Sequence, residues 1–302
     1  MMDAPPIADL ERTEIEASHA IFAAASPQVA SDLGLASEFW DDAHFTLARG
    51  FDHPVFNRLH LRHGVAAGDD RIARAVARFR DAGVKRFFVQ FLPNPDSRGP
   101  QGEGTATPGG SETGVNRGFS QFPPHPSADE AERQARASGL VPGRRNWIKL
   151  WRGDEAIEPP AADLRIEPVE PAQAELWAAI TVRAFAMPEA VIPWFACLPR
   201  SAGWRTYLSF DGDAPVGGGA IYLCADRTAW LGMGGTLAEA RGRGGQSAVL
   251  ARRIGDALAT GVRWMISETG APVRGEAQTS FKNMQRLGFR AVYERANWGE
   301  PV

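Results

Sequence analysis

Two stretches of this chain repeat one another, and the repeat limits its architecture more than any other feature. Gly83-Val84-Lys85-Arg86-Phe87-Phe88-Val89 and Gly261-Val262-Arg263-Trp264-Met265-Ile266-Ser267 lie 178 positions apart. Each reads as a short apolar strand entered through a glycine turn. Each follows an amphipathic helix, in which Ile72 and Val76 answer Leu250 and Ile254 at the same offset, one turn apart on one face. Later, Asn146-Trp147 matches Asn297-Trp298 at an offset of 151, so the first half holds 27 more residues between these landmarks. The tract 93–127, dominated by Pro, Gly, Ser and Thr, is long enough to supply them. It buries too little apolar surface to offset chain ordering and is expected to be a disordered insertion. A second break, Glu158-Pro159-Pro160-Ala161-Ala162, divides the chain into tandem copies of one domain, 1–158 and 163–302.

Charge and cysteine content exclude several classes of function. With 33 basic and 36 acidic residues, the chain lacks the whole-molecule attraction that nucleic acid or an anionic membrane would need. No run reaches the roughly 18 apolar residues of a membrane span. The acids Asp3, Asp9, Glu11, Glu14 and Glu16 rule out a secretory signal in the first 20 residues, so a cytoplasmic protein is expected. Cys197 and Cys224 alone make neither a disulfide framework nor a four-ligand zinc site. His53, His60 and His63 fit no zinc spacing, and no metal is expected.

The second half reads as mixed α/β. Strands are expected at 164–166, 204–210, 216–224, 228–237, 263–268 and 289–294, with helices at 172–185, 245–259 and 279–287. Leu176, Trp177, Ile180 and Phe185 would share one helix face. The segment Arg241-Gly242-Arg243-Gly244-Gly245-Gln246-Ser247 stands between a strand and a helix, an arrangement that binds phosphate. The first amides of a helix have no internal partner, and the helix dipole adds partial positive charge there. Glycines permit close backbone approach and φ > 0. Arg241 and Arg243 add full charges suited to a pyrophosphate. By itself such a turn is equally readable as a solvated connection. It has no Gly-Lys-Ser/Thr ending, and it stands too late in its domain for a dinucleotide fingerprint.

Arg241-x-x-Gly244-x-Gln246 resembles the Arg/Gln-x-x-Gly-x-Gly/Ala motif of the GNAT acetyltransferase superfamily, with Gln in the last place. Trp230-Leu231-Gly232-Met233-Gly234-Gly235-Thr236 resembles the fourth strand of that family. Ser280-Phe281-Lys282-Asn283-Met284-Gln285-Arg286-Leu287-Gly288-Phe289 resembles its closing helix, turn and strand. The likeness covers residues 163–298, and the first half resembles a degenerate copy. It implies an α/β (α+β) mixed-sheet fold: two tandem GNAT-like domains, each with a central, mostly antiparallel sheet, flanking helices and a splayed strand pair.

The resemblance also implies acetyl-CoA as co-substrate and an N-acetyltransferase acting by direct amine attack on a small molecule, as a monomer or homodimer. Two other readings stay open: an inactive acetyl-CoA-binding sensor or scaffold, and acetylation of a protein N-terminus or lysine. In family terms, backbone at Gly234, Gly235 and Thr236 would pair with the pantetheine arm. The glycines read equally as a β-bulge. Amides of Arg243, Gly244, Gly245, Gln246 and Ser247, with Arg241, would hold the pyrophosphate. Ser280 and Asn283 would reach the distal part of the cofactor, or else be a helix cap and a surface residue. Many family members have a tyrosine acid where this chain has Met284. All six histidines lie in the first half, which leaves Glu268 as candidate base or surface carboxylate, and Tyr293 as candidate acid or core residue. The first-half counterpart of the loop, His63-Gly64-Val65-Ala66-Ala67-Gly68, lacks both arginines and is expected to bind pyrophosphate poorly. Met187, Ile192, Trp194, Phe195 and Trp204 are candidates for an apolar acceptor pocket or for core.

Overall fold

Glycine stops end the two repeated helices in the same way. α3 (Arg71–Asp81) and α7 (Gly245–Ala259) are each followed by a left-handed glycine, Gly83 at φ 72° and Gly261 at φ 78°. The next valine then bonds back five residues: Val84 N–H to Phe79 O at 2.9 Å and Val262 N–H to Ala257 O at 3.2 Å. Only a residue without Cβ takes this conformation cheaply, so the glycine fixes both the helix end and the strand entry. The computed structural model describes residues 5–62, 64–92, 126–160, 162–273, 275–276 and 278–301. Most of the expected insertion at 93–127 lies outside the described residues, as does His63.

The first half supplies α1 (Ile7–Ala23), α2 (Pro27–Leu33), β1 (Leu35–Trp40), β2 (Ala43–Ala48), β3 (Arg58–Leu61), α3, β4 (Phe88–Gln90), α4 (Pro126–Ala137), β5 (Val141–Pro142) and β6 (Trp147–Arg152). The second half supplies β7 (Arg165–Pro168), α5 (Ala174–Ala184), α6 (Ile192–Phe195), β8 (Trp204–Asp211), β9 (Ala214–Leu223) and β10 (Thr228–Thr236). It continues with α7, β11 (Trp264–Gly270), α8 (Thr279–Arg286), β12 (Arg290–Arg295) and β13 (Asn297–Gly299). Every element expected in the second half is present, with ends shifted by a few residues at most. Leu176 departs from the expected face: it is exposed while Trp177 and Ile180 are buried, because a neighbouring helical residue points about 100° away. Phe185 also lies exposed, just past the end of α5.

Each half contributes its last strand to the other half's sheet. One sheet has the order β1-β2-β3-β4-β13-β5 and the other β12-β6-β11-β10-β9-β8-β7. β13 thus stands between β4 and β5, and β6 between β11 and β12. Lys149 pairs with Glu268, and Asn297 pairs with Gln90, the residue 178 positions before Glu268. The equivalent strands are therefore offset by 148 residues. The Asn-Trp match at 151 aligned them three residues out of register, because a two-residue landmark carries no ladder information.

The halves also share a core. Trp194 is fully buried against Phe22 and Phe56, with ring centroids 4.9 and 5.2 Å apart, and its indole N–H donates to Ile21 O at 2.9 Å. Full burial of a side chain of this size stabilises by roughly 2–3 kcal/mol. No helix among the described residues is long and apolar enough to cross a membrane.

We propose residues 159–162 as the boundary between the two units, although β6, which precedes it, belongs to the second sheet. Expressed alone, 163–302 lacks the strand between β11 and β12 and should show no cooperative melt. Co-expressed with 1–158, it should co-purify as a folded pair. A cooperative melt of the lone fragment at the full chain's Tm would contradict this dependence.

Candidate functional site

β10 and β11 run parallel and pair only from Thr228–Trp264 to Trp230–Ile266. Beyond that point they part. A last link is the Ser267 hydroxyl, which donates to Leu231 O at 2.7 Å. Past it, β11 turns to β6 and β10 stays with β9, where the register shifts between Gly232 and Gly235. The irregularity is a real bulge, with Met233 at φ 54°. The glycines here make room for protein as well. A Cβ on Gly235 would stand 2.9 Å from the Ala184 Cβ and 3.1 Å from the Phe185 ring, while one on Gly234 would stand 3.1 Å from Arg253 Nη2.

α7 opens beside this gap. Gly244 is its N-cap at φ 77°, and no side chain caps the helix. Gly245 is buried, and a Cβ there would lie 2.7 Å from Leu164. Arg241, Arg243 and Gly244 are exposed, and Ser247 is half-buried in the first turn. The Arg243 guanidinium forms a two-pronged ion pair with Asp211, its Nη2 at 2.9 Å. Arg241 Nε donates to Thr236 O at 3.3 Å. Ser280 and Asn283 both reach α7: Gln246 Nε2 donates to the Ser280 hydroxyl at 3.0 Å, and Asn283 Nδ2 donates to Gln246 Oε1 at 2.8 Å. Ser280 is therefore no helix cap, since Gln278 holds that position, and Asn283 is buried rather than on the surface. The counterpart of α7 in the first half starts differently. α3 begins four residues later than the repeat requires, and the Arg71 N–H donates to the carboxylate of Asp69 at 2.9 Å.

A cavity of about 320 Å³ reaches some of these parts: Gln246 lines it, whereas Gly235, Thr236, Arg241, Arg243, Gly244, Gly245 and Ser247 do not. Gly234, Gln246, Ser280 and Asn283 line it, as do the bulge residues Gly232 and Met233. The first half adds Ile21, Phe22 and Phe56, and the second half adds Phe185, Met187 and Trp230, so much of the wall is apolar. Of the acceptor-pocket candidates, only Met187 lines it. Trp194 and Phe195 are wholly core, Trp204 packs on Tyr222 and Trp230, and Ile192 packs against the core.

Glu268 faces the cavity from a buried charge network. Glu11 and Glu14 come from α1, Arg58 and His60 from β3, Lys149 from β6, Glu268 from β11 and Arg295 from β12. Arg295 donates to Glu11, to both oxygens of Glu14 and to Glu268, each at 2.9 Å. Arg58 donates to Glu14 at 2.8 Å, and Lys149 also bonds Glu14. Burial pushes the Glu11 carboxyl up, but Arg295, His60 and Lys149 outweigh it and hold it at about 2. Glu14, bound by three cations, is likewise held well below the carboxylate range. Among the described residues Glu268 accepts one hydrogen bond, from Arg295, with Lys149 at 3.6 Å and Arg58 at 4.0 Å. Burial and the charge of Glu14 push its carboxyl up, and the cations recover only part of that shift. Oxygens and nitrogens of Glu11, Glu14 and His60 lie within 4.8 Å of one another, as metal ligands would. Arg58, Lys149 and Arg295 occupy the same space and match the three carboxylates charge for charge.

Tyr293 lies away from the cavity. It is buried among Leu10, Trp151, Ile266 and Val292, and its hydroxyl has no hydrogen-bond partner among the described residues. Sequence reasoning also missed Arg253, a cavity-lining residue of α7. Its signal was an arginine placed one turn after Val249, on a buried stripe.

No family model matches the sequence, and no curated protein matches it. Solved structures do match the fold. A GCN5-related N-acetyltransferase from Kribbella flavida covers 99% of this chain and 97% of its own, at TM-score 0.60 and 14% identity. A GCN5-related N-acetyltransferase from Sphaerobacter thermophilus covers 98% and 93%, at TM-score 0.53 and 16% identity. A tandem GNAT protein from the clavulanic acid biosynthesis pathway covers 85% and 77%, at TM-score 0.51 and 16% identity. At such identities the likeness is one of architecture: the chain has the tandem GNAT fold.

Proposed function

We propose that this protein transfers an acetyl group from acetyl-CoA to the amine of a small molecule. The observation that carries the reading is a cavity that runs from the parted strands β10 and β11 past Gln246 in the first turn of α7 to the carboxylate of Glu268. Amides of residues 243–247, left uncapped, would hold the pyrophosphate, aided by Arg241 and by Arg243 once it turns from Asp211. Gly234 would let the pantetheine arm lie against β10. Ser280 and Asn283 would act through Gln246, to which both are bonded. The acceptor would be an amine on an apolar body, seated against Phe22, Phe56, Met187 and Trp230.

The amine nitrogen attacks the thioester carbonyl carbon, and Glu268 takes its proton directly or through one water. A carboxylate whose pKa is raised is a better base than an ordinary one. Release of CoA thiol from acetyl-CoA over a panel of apolar amines, with the acetylated product seen by mass spectrometry, tests the reading. Glu268→Gln should lower kcat by roughly 10²–10⁴-fold. In the wild type, kcat/KM should fall as pH drops through an inflection above the ordinary carboxylate range, and this acid limb should vanish in the variant. Tight acetyl-CoA binding without CoA release from any amine would support the sensor reading instead.

A further inference from the structure

Arg253 is a buried cation without a counter-ion. Its side chain is enclosed, with a relative exposure of 3%. Nη1 donates to Ala220 O at 2.9 Å and Gly232 O at 2.8 Å, and Nε to Val249 O at 3.4 Å. All three acceptors are neutral carbonyls. Among the described residues no carboxylate pairs with it, and Nη2 donates to nothing. That nitrogen lies beside Gly234 at the bulge, in the wall of the cavity. Burial pulls the guanidinium down to about 10, which leaves it charged at neutral pH. Holding such a charge away from water is costly unless an anion meets it.

Position along α7 says which anion. Arg253 is eight residues beyond Gly245, or about 12 Å along the axis at 1.5 Å per residue, the length scale of a pantetheine arm. Resting on the acetyl-CoA reading above, we infer that Arg253 holds the CoA thiolate as it leaves. Met284, where the resemblance puts a tyrosine acid, lines the same cavity and has no proton to give. As the amine nitrogen bonds to the carbonyl carbon, the carbon–sulfur bond breaks and its electron pair stays on sulfur. The amine proton goes to Glu268 and then to solvent. Arg253 keeps its own proton and supplies charge, as electrostatic stabilisation of a leaving group requires.

The test compares calorimetric binding of CoA and desulfo-CoA across about pH 6–9, the range in which a thiol titrates. A thiol whose bound pKa is lowered binds more tightly as pH rises from the bound towards the free value. In the wild type the CoA affinity, relative to desulfo-CoA, should rise about tenfold for each pH unit by which the thiol pKa is lowered. Arg253→Met should abolish the rise, and Arg253→Lys should keep part of it, with cooperative melts confirming both folds. A purely structural arginine would weaken both ligands equally and leave the rise intact in either variant, which overturns the assignment. A wild-type ratio flat with pH also overturns it, and does so even if the Met variant fails to fold. Wild-type protein that binds neither ligand contradicts the acetyl-CoA reading itself, and the thiolate role falls with it.

Discussion

Arg295→Met should cost the protein roughly 3–5 kcal/mol of stability, the usual loss when one partner of a buried ion pair is removed. Arg295 is 1% exposed and donates to Glu11, Glu14 and Glu268 together. Without it, three carboxylates in the interior share Arg58 and Lys149. For a chain of this size the loss corresponds to a fall in Tm of roughly 5–8 °C. Acid should narrow the difference. Glu11 has its folded pKa depressed from 4.5 to about 2, so its stabilising contribution is full above 4.5 and fades as pH falls towards 2. Arg295→Met lacks part of that contribution already, Arg295 being the largest of the lowering causes, so its deficit should shrink over the same window. Urea melts at neutral pH and at about pH 3 check both statements. A variant within 1 kcal/mol of wild type at neutral pH would show that the network does not hold the halves together.

Local patterns made much of the second half legible. α7 begins at Gly245 and ends at Ala259 as its sequence indicates, because glycine punctuation and an apolar stripe are both short-range signals. The strand exchange was not legible. β6 and β13 carry residues that suit an inner strand of either sheet, and nothing in Trp147-Ile148-Lys149-Leu150 says which sheet it joins. The network was hidden for a related reason. Glu11 and Glu14 sit on α1 among apolar residues, but Arg58, Lys149 and Arg295 stand 44, 135 and 281 positions from Glu14. Acids near an N-terminus read as a solvated face until distant partners are known. The position of Glu268, facing the cavity, was readable from its strand beside the gap. Tyr293 was not, because the side of a sheet that a residue faces depends on register, and the pairing of β12 with β6 is irregular between Ala291 and Tyr293.

The start of α7 is the proposed pyrophosphate site. Arg243→Glu combined with Gly244→Asp places two carboxylates where phosphate oxygens would sit. It also breaks the ion pair with Asp211, leaving that carboxylate unneutralised beside the site. Repulsion of this kind, with the loss of charge-assisted bonds, should weaken acetyl-CoA binding by at least about 100-fold. Aspartate at the left-handed Gly244 position should cost roughly 1–2 kcal/mol, so a cooperative melt of the variant must accompany the titration to separate a binding loss from unfolding. Calorimetric titration of acetyl-CoA into the wild-type chain and this double variant is the most direct measurement. Saturable binding by the wild type, absent from the variant, is the predicted result, whereas equal affinity in the two would contradict the assignment.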